Sequence, residues 1–242
     1  MLLRTGSIGG ARFVLTDRHG GVSAPPYDEL DLGDHVGDDA GAVAENRRRL
    51  AAALDVGVGR LVFSRQVHGR DVHVVEGPQV PGEALPVADA LVTREPGLGL
   101  VVLVADCVPV LLAERDSEVV AVAHAGRRGV ESGVVAATVA AMSALGARPA
   151  DVAAVVGPSV CGGCYEVPQE LADQVVAAQP ATRAMSSAGR PALDLRAGVV
   201  AQLIEAGVRT IEADPWCTAE SPDLYSYRRD GVTGRFAGLV LS

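Results

Sequence analysis

The middle of the chain holds two apolar runs, LGLVVLVADCVPVLLAE (residues 98–114) and EVVAVAHAG (118–126), and they exclude most small folds. Alternate side chains of a strand point to opposite faces, so an unbroken Val/Leu run belongs to a strand covered on both sides. Such strands need helices or a second sheet above and below them. Downstream, VESGVVAATVAAMSALGA (130–147) reads as a helix ending at Gly146, DVAAVVGPSV (151–160) as another buried strand, and EVPQELADQVVAAQ (166–179) as a helix. LDLRAGVVAQLIEAGV (193–208) is a further helix stopping at Gly207, and RTIEADPWCTAE (209–220) a strand running into a loop. Upstream, GARFVLTDRHGGVS (10–23) reads as a strand ending in a turn, and APPYDELDLGDHVGDD (24–39) as a Pro/Gly/Asp-rich loop. The helix GAVAENRRRLAAAL (41–54) follows, capped by Asp38-Asp39. LVFSRQVHG (61–69) and DVHVVEG (71–77) then read as two strands meeting at Gly69. The end, LYSYRRDGVTGRFAGLVLS (224–242), reads as a loop or hairpin and a terminal strand. Strands and helices alternate with no internal repeat or linker, which predicts one compact α/β domain over residues 1–242, with helices layered around a central mixed sheet.

The balance of charge narrows the partners. The formal net charge is -9, and all 21 basic residues are Arg. A chain this acidic repels nucleic acid and anionic lipid. No run approaches the ~20 apolar residues of a membrane span, and the N-terminus lacks the pattern of a signal peptide. Four cysteines are too few for a disulfide scaffold, so a reduced, cytoplasmic protein is expected.

Polar groups in the wrong place carry the chemistry. Asp106 and Cys107 interrupt the first apolar run, His124 closes the second, and His68 closes the strand LVFSRQVHG. Burying such a group unpaired costs about 1–3 kcal/mol. Neighbouring strands bring Cys107 and His124 together, and His68 supplies a third donor. Two imidazoles and a thiolate suit zinc with a fourth position open, which is a catalytic pattern. The spacings match no compact metal motif, and each residue taken alone also reads as structural. Cys161-Gly-Gly-Cys164 offers a closed zinc site with Cys217 and Cys107, or a redox pair. A zinc ribbon needs two such pairs and only one is visible, so these cysteines are read as packing residues.

HAGRRG (124–129) offers backbone N–H groups and Arg128 to an anion. Arg47 reads either as facing the site or as part of a solvated helix face. Tyr227, Arg228 and Arg229 read either as pocket lining or as a polar turn. His19, His35 and His73 are read as structural or exposed.

The ordered series GVSAPPY, LDLGDHVGDD, AVAENRRRL, QVHG, ADALVT, ADCVPVLL, AHAGRRG, GPSVCGGCYEV and SYRRDGVTGR resembles the laccase-domain family, whose members carry the names polyphenol oxidase and purine nucleoside phosphorylase. The resemblance runs from Gly21 to Arg235. It implies a single compact α/β domain with one metal site, in which His68, Cys107 and His124 bind zinc. It implies phosphorolysis of adenosine, inosine and 5'-methylthioadenosine, with adenosine deamination at the same site. Phosphate then falls to Arg128, Arg47 and Arg229, in that order, and zinc and arginine orient it for attack at the anomeric carbon. An open zinc position also lowers the pKa of bound water, which suits attack at C6 of adenine. Asp106 is expected to orient an imidazole, to act on a proton, or to be a buried structural acid. Cys107 is read as a ligand and not as a covalent nucleophile.

Two departures bear on substrate range: Arg127 stands where the family commonly has Trp, and CGGC is poorer in Pro and adjacent Cys than usual. Other roles attached to the family are copper-dependent phenol oxidation and editing of cell-wall precursors. Copper oxidation on the laccase plan needs several coppers and many histidines, and this chain has five His. A non-enzymatic interaction module with a structural zinc is the remaining alternative. Few aromatics suggest a monomer or weak homodimer.

Overall fold

The computed structural model describes residues 1–115 and 118–242. In chain order its elements are β1 (Leu2–Ile8), β2 (Ala11–Thr16), α1 (Ala40–Leu54), β3 (Leu61–Val62), β4 (Val72–Val74), β5 (Ala90–Thr93), β6 (Gly99–Val104), β7 (Val108–Glu114) and β8 (Val120–Ala125). There follow α2 (Arg127–Ser132), α3 (Val134–Ala144), β9 (Val152–Val156), α4 (Gln169–Ala178), β10 (Arg183–Met185), β11 (Pro191–Leu193), α5 (Leu195–Glu205), β12 (Thr210–Ala213), α6 (Tyr227–Asp230) and β13 (Phe236–Leu241).

The α/β class is as read, but the expected central sheet is two sheets. One has five strands in the order β1-β2-β13-β6-β3, the other six in the order β12-β9-β7-β8-β5-β4. The apolar run 98–114 is divided between them: β6 lies in the five-stranded sheet, paired with β13, and β7 lies in the six-stranded sheet, paired with β8 and β9. Strand periodicity explains why both strands are apolar throughout, save for Glu114 at the end of β7. In β6, Leu100 and Val102 face the core between the sheets, while Val101 and Leu103 face α1. In β7, Leu111 and Ala113 face the core between the sheets, while Val108, Val110 and Leu112 face the helices α2–α5. The result is four layers: α1, sheet, sheet, and the remaining long helices.

Several boundaries differ from the sequence reading for local reasons. Asp39 caps α1, its carboxylate accepting from the Ala42 N–H at 2.9 Å, as the acidic pair predicts. The expected single helix over 130–147 is two, because the first begins at Arg127 and stops at Gly133, whose φ of +83° is left-handed. The expected strand over 61–69 pairs as a strand only at Leu61 and Val62, with a single further bridge from Arg65 to Val87, and the residues beyond loop towards β5. Strand β1 and the hairpin β10–β11 were not anticipated, and the terminal segment contains the short helix α6 where a loop or hairpin was expected. No helix among the described residues is long and apolar enough to cross a membrane.

Candidate metal centre

His68, Cys107 and His124 converge, and their donor atoms all lie within 4.8 Å of one another. Each arrives from a different kind of element. His124 sits near the end of β8, opposite Pro109 of β7, and is 3% exposed. Cys107 does not lie inside a strand as expected; it occupies the connection that carries the chain from one sheet to the other. His68 does not close a strand either. It lies in the loop after β3 with a φ of +60°, and neighbouring Asp106 has a φ of +86°. Left-handed backbone is uncommon for residues with a Cβ, although Asp and His are among those that tolerate it. The His68 Nε2 is 3.8 Å from the Cys107 Sγ, and the two imidazoles meet edge to face with ring centroids 4.7 Å apart.

The organiser of the centre is Asp89, which sequence reasoning did not single out. It is fully buried just ahead of β5. One carboxylate oxygen accepts from the His68 backbone N–H at 2.9 Å and meets His124 Nδ1 at 2.8 Å. The other accepts from the N–H groups of Val67 and Gly69 at 3.2 and 2.7 Å. A carboxylate can only accept, so His124 Nδ1 donates to Asp89 and Nε2 is the ring nitrogen left to face Cys107 or a metal. On the opposite side, Gln66 exchanges two 2.8 Å hydrogen bonds with the backbone of Leu103 in β6. The His68 loop is thereby tied to both sheets. Gly126 closes the arrangement, since a Cβ there would stand 2.7 Å from His68 Cδ2 and 3.1 Å from the Cys107 Sγ.

The electrostatics match a site built for a cation. Burial pushes the Cys107 thiol up, but His124 and His68 beside it outweigh burial and bring it down to about 6. Burial pushes the His124 imidazole down, while Cys107 and Asp89 more than reverse this and hold it up at about 9. Asp89 is pushed up by burial, yet its bonds from His124, Gly69 and Val67 hold it below the ordinary carboxylate value. Without a metal, Cys107 and His124 pair as thiolate and imidazolium; a cation that displaces the His124 Nε2 proton would meet a thiolate and two imidazoles, a donor set that fits zinc with one position open.

That open side faces a cavity of about 500 Å³, within the range of small-molecule sites. Leu103, Val104, Ala105, Val160 and Leu195 make its apolar wall. Arg127, Arg128, Arg228 and Arg235 bring positive charge, and Tyr165 lies under the Arg228 guanidinium at 4.9 Å. Arg128 lines the cavity as expected and has no ion-pair partner among the described residues. Arg47 and Arg229 do not line it. The Arg47 guanidinium is engaged with the Leu32 carbonyl at 3.0 and 2.8 Å and stacks on Phe63 at 4.1 Å. Arg229 is engaged with the carbonyls of Thr218, Ser221 and Leu224 and with Asp230. Arg228 takes the place expected of Arg229, and His35, read as structural or exposed, stands on the rim.

Asp106 reaches the cavity, but it does not orient an imidazole; that partner is Asp89. The Asp106 carboxylate accepts from Thr218 Oγ1 at 2.6 Å, Ser226 Oγ at 2.7 Å and the Arg228 N–H at 2.6 Å, which fixes α6 against the cavity. Cys161, Cys164 and Cys217 do not join Cys107; they gather separately with Glu220.

Residues 12–242 match the family described as multi-copper polyphenol oxidoreductase laccase. The chain is 54% identical to a purine nucleoside phosphorylase of Streptomyces coelicolor, over 99% of each chain. It is 53% identical to one of Streptomyces griseus, over 96% of this chain and 94% of that one. Among solved structures it is similar to YlmD from Geobacillus stearothermophilus, with a TM-score of 0.88, 36% identity, and 96% and 91% of the two chains covered.

Proposed function

The chain belongs to the multi-copper polyphenol oxidoreductase laccase family, and on that footing we propose that it is a zinc-dependent purine nucleoside phosphorylase acting on adenosine, inosine and 5'-methylthioadenosine. The observation that carries the reading is the convergence of exposed His68, half-buried Cys107 and buried His124 at a cavity with four arginines and two tyrosines. The names of its relatives from Streptomyces support the same activity.

Zinc would be held by His68 Nε2, the Cys107 thiolate and His124 Nε2, and would supply a fixed double positive charge at the floor of the cavity. The chain's own residues do the rest. Arg128, Arg228 and Arg235 bind the phosphate dianion and hold one oxygen towards the anomeric carbon of the nucleoside. That oxygen forms the new bond to C1' as the C1'–N9 bond breaks, and the purine leaves with the bonding pair and takes up a proton. The apolar wall excludes water, which favours phosphate over hydroxide as the acceptor. Tyr165 offers a ring face to the purine, a role left to it by the Arg at 127.

Phenol oxidation on the laccase plan finds no support in the donor inventory. His19 bonds to Asp223 and His73 lies on β4, so only two of the five histidines serve the centre. The test is chromatography of each nucleoside with the zinc-loaded protein, with and without phosphate. Free base appearing only with phosphate is the expected result, and inosine formed from adenosine without phosphate would report deamination. Nucleosides returned intact under both conditions would refute the proposal.

A further inference from the structure

The chain builds a second cluster of metal donors, away from the first. Cys161, Cys164, Cys217 and Glu220 offer three sulfurs and a carboxylate oxygen, all within 4.8 Å of one another. Two short turns present them. In the first, the Cys164 and Tyr165 N–H groups both bond the Cys161 carbonyl at 3.0 Å, closing a Cys-x-x-Cys loop. In the second, the Glu220 and Ser221 N–H groups bond the Cys217 carbonyl at 3.2 and 3.0 Å, closing a Cys-x-x-Glu loop. The two turns are laid side by side by a bridge between Ser159 and Cys217. The second pair that a zinc ribbon requires is thus present, with a carboxylate in place of one sulfur.

Three details separate this cluster from a chance meeting of cysteines. The Cys161 N–H donates to the Cys217 Sγ at 3.3 Å, joining the two turns directly. Cys164 Sγ sits 3.4 Å from Glu220 Oε1, so the carboxylate is turned inward to the sulfurs although Glu220 is otherwise exposed. The spacing also suits a small ion, since tetrahedral bonds of about 2.3 Å place sulfurs about 3.8 Å apart. A redox pair made from Cys161 and Cys164 alone leaves the Cys-x-x-Glu arm without a purpose.

We infer that Cys161, Cys164, Cys217 and Glu220 form a closed, structural site for a tetrahedral divalent cation of the zinc type. Its place in the fold gives the role. Val160 and Tyr165, which flank the first turn, line the catalytic cavity. Thr218, within the second turn, donates to Asp106, and its carbonyl accepts from Arg229 of α6. An ion joining the two turns pins one wall of the cavity from behind. All four positions are filled by protein, so the ion has no vacancy for substrate.

The test is metal analysis of the reduced protein, wild type and variants, with cobalt substitution as an optical reading of thiolate number. The expected result is a second equivalent of zinc in the wild type, lost in Cys164→Ser and retained in the double variant His68→Ala/His124→Ala. Cobalt bound to that double variant should show the charge-transfer absorption of three thiolates. If Cys164→Ser fails to fold, the wild-type stoichiometry and the double variant still decide. Zinc bound to wild type and absent from the double variant would overturn the inference, as would two thiols oxidised to a disulfide with no metal present. A single equivalent that survives in the double variant and disappears in Cys164→Ser would uphold this site while refuting zinc at the first.

Discussion

Asp89→Asn is the substitution that probes the catalytic centre most directly, because it keeps the shape and removes only the ability to accept on both oxygens. Four donors converge on the carboxylate: three backbone N–H groups and His124 Nδ1. An amide has one accepting oxygen, so its NH2 must face one pair of these donors. If it faces Val67 and Gly69, two part-buried N–H groups lose their acceptor. If it faces His68 and His124, one N–H is orphaned and the imidazole must move its proton to Nε2, the nitrogen needed for the metal. Each orphaned group costs about 1–3 kcal/mol, so the metal-free protein should lose about 2–6 kcal/mol in the first case. The assay is denaturant unfolding of the stripped protein, read as a shift in midpoint at unchanged slope. Chelator competition on the loaded protein should show about 10–100-fold weaker zinc binding. A variant with wild-type unfolding and an unchanged chelator midpoint would show that Asp89 neither fastens the His68 loop nor fixes the His124 tautomer.

Gly126→Ala should also cost metal affinity while leaving unfolding of the stripped protein nearly unchanged, since the nearest atoms its Cβ would meet belong to the His68 and Cys107 side chains; zinc retention at wild-type strength refutes this. Arg128→Gln should raise the KM for phosphate by about 10–100-fold, the value of one charged hydrogen bond. Arg47→Gln should instead leave that KM alone and cost about 2–4 kcal/mol of stability through its lost bonds to Leu32 and its stack on Phe63. Steady-state kinetics and urea midpoints separate the two, and the reverse pattern would restore Arg47 to the site. Asp31 is fully buried with Oδ2 unpartnered, and burial raises its pKa to about 6 despite bonds from Gly33 and Arg235. The folded state therefore holds this proton more tightly than the unfolded chain, so stability present below pH about 4 is lost as pH rises through about 6, by about 3 kcal/mol. The difference in stability between wild type and Asp31→Asn should vary with pH over that window, and a flat difference rules the assignment out.

What was legible in the sequence was whatever rests on neighbouring residues. The all-apolar strands, the Asp39 cap and the stop at Gly207 each announce themselves within a few positions. His124 and Cys107 were visible because polar groups interrupt apolar runs. The sheet count was not visible, because a break at Asp106-Cys107 reads the same whether the next strand joins the old sheet or a new one. Asp89 was missed because its four partners lie well away in the chain, although an acid heading the apolar strand ALVT was a signal that it must be satisfied. Arg47 and Arg229 were misplaced because an arginine's charge is equally at home on a carbonyl and in a cavity. Glu220 went unnoticed for a similar reason, since one glutamate in a polar loop carries no mark until Cys217 is known to face two other sulfurs.

The position of β13 sets the order in which the molecule can be assembled. This last strand is not at an edge; it fills the gap between β2 and β6, two strands synthesised long before it. Until Phe236–Leu241 leaves the ribosome, β2 and β6 have no shared neighbour and the five-stranded sheet is two fragments with open edges. The six-stranded sheet has all its strands earlier, so it can form first and wait with one apolar face uncovered. Contacts so distant in sequence make for slow closure. Loss of the final strand would therefore not trim the fold but split it, leaving Gln66 without an anchored Leu103 and His68 without a fixed approach to its partners.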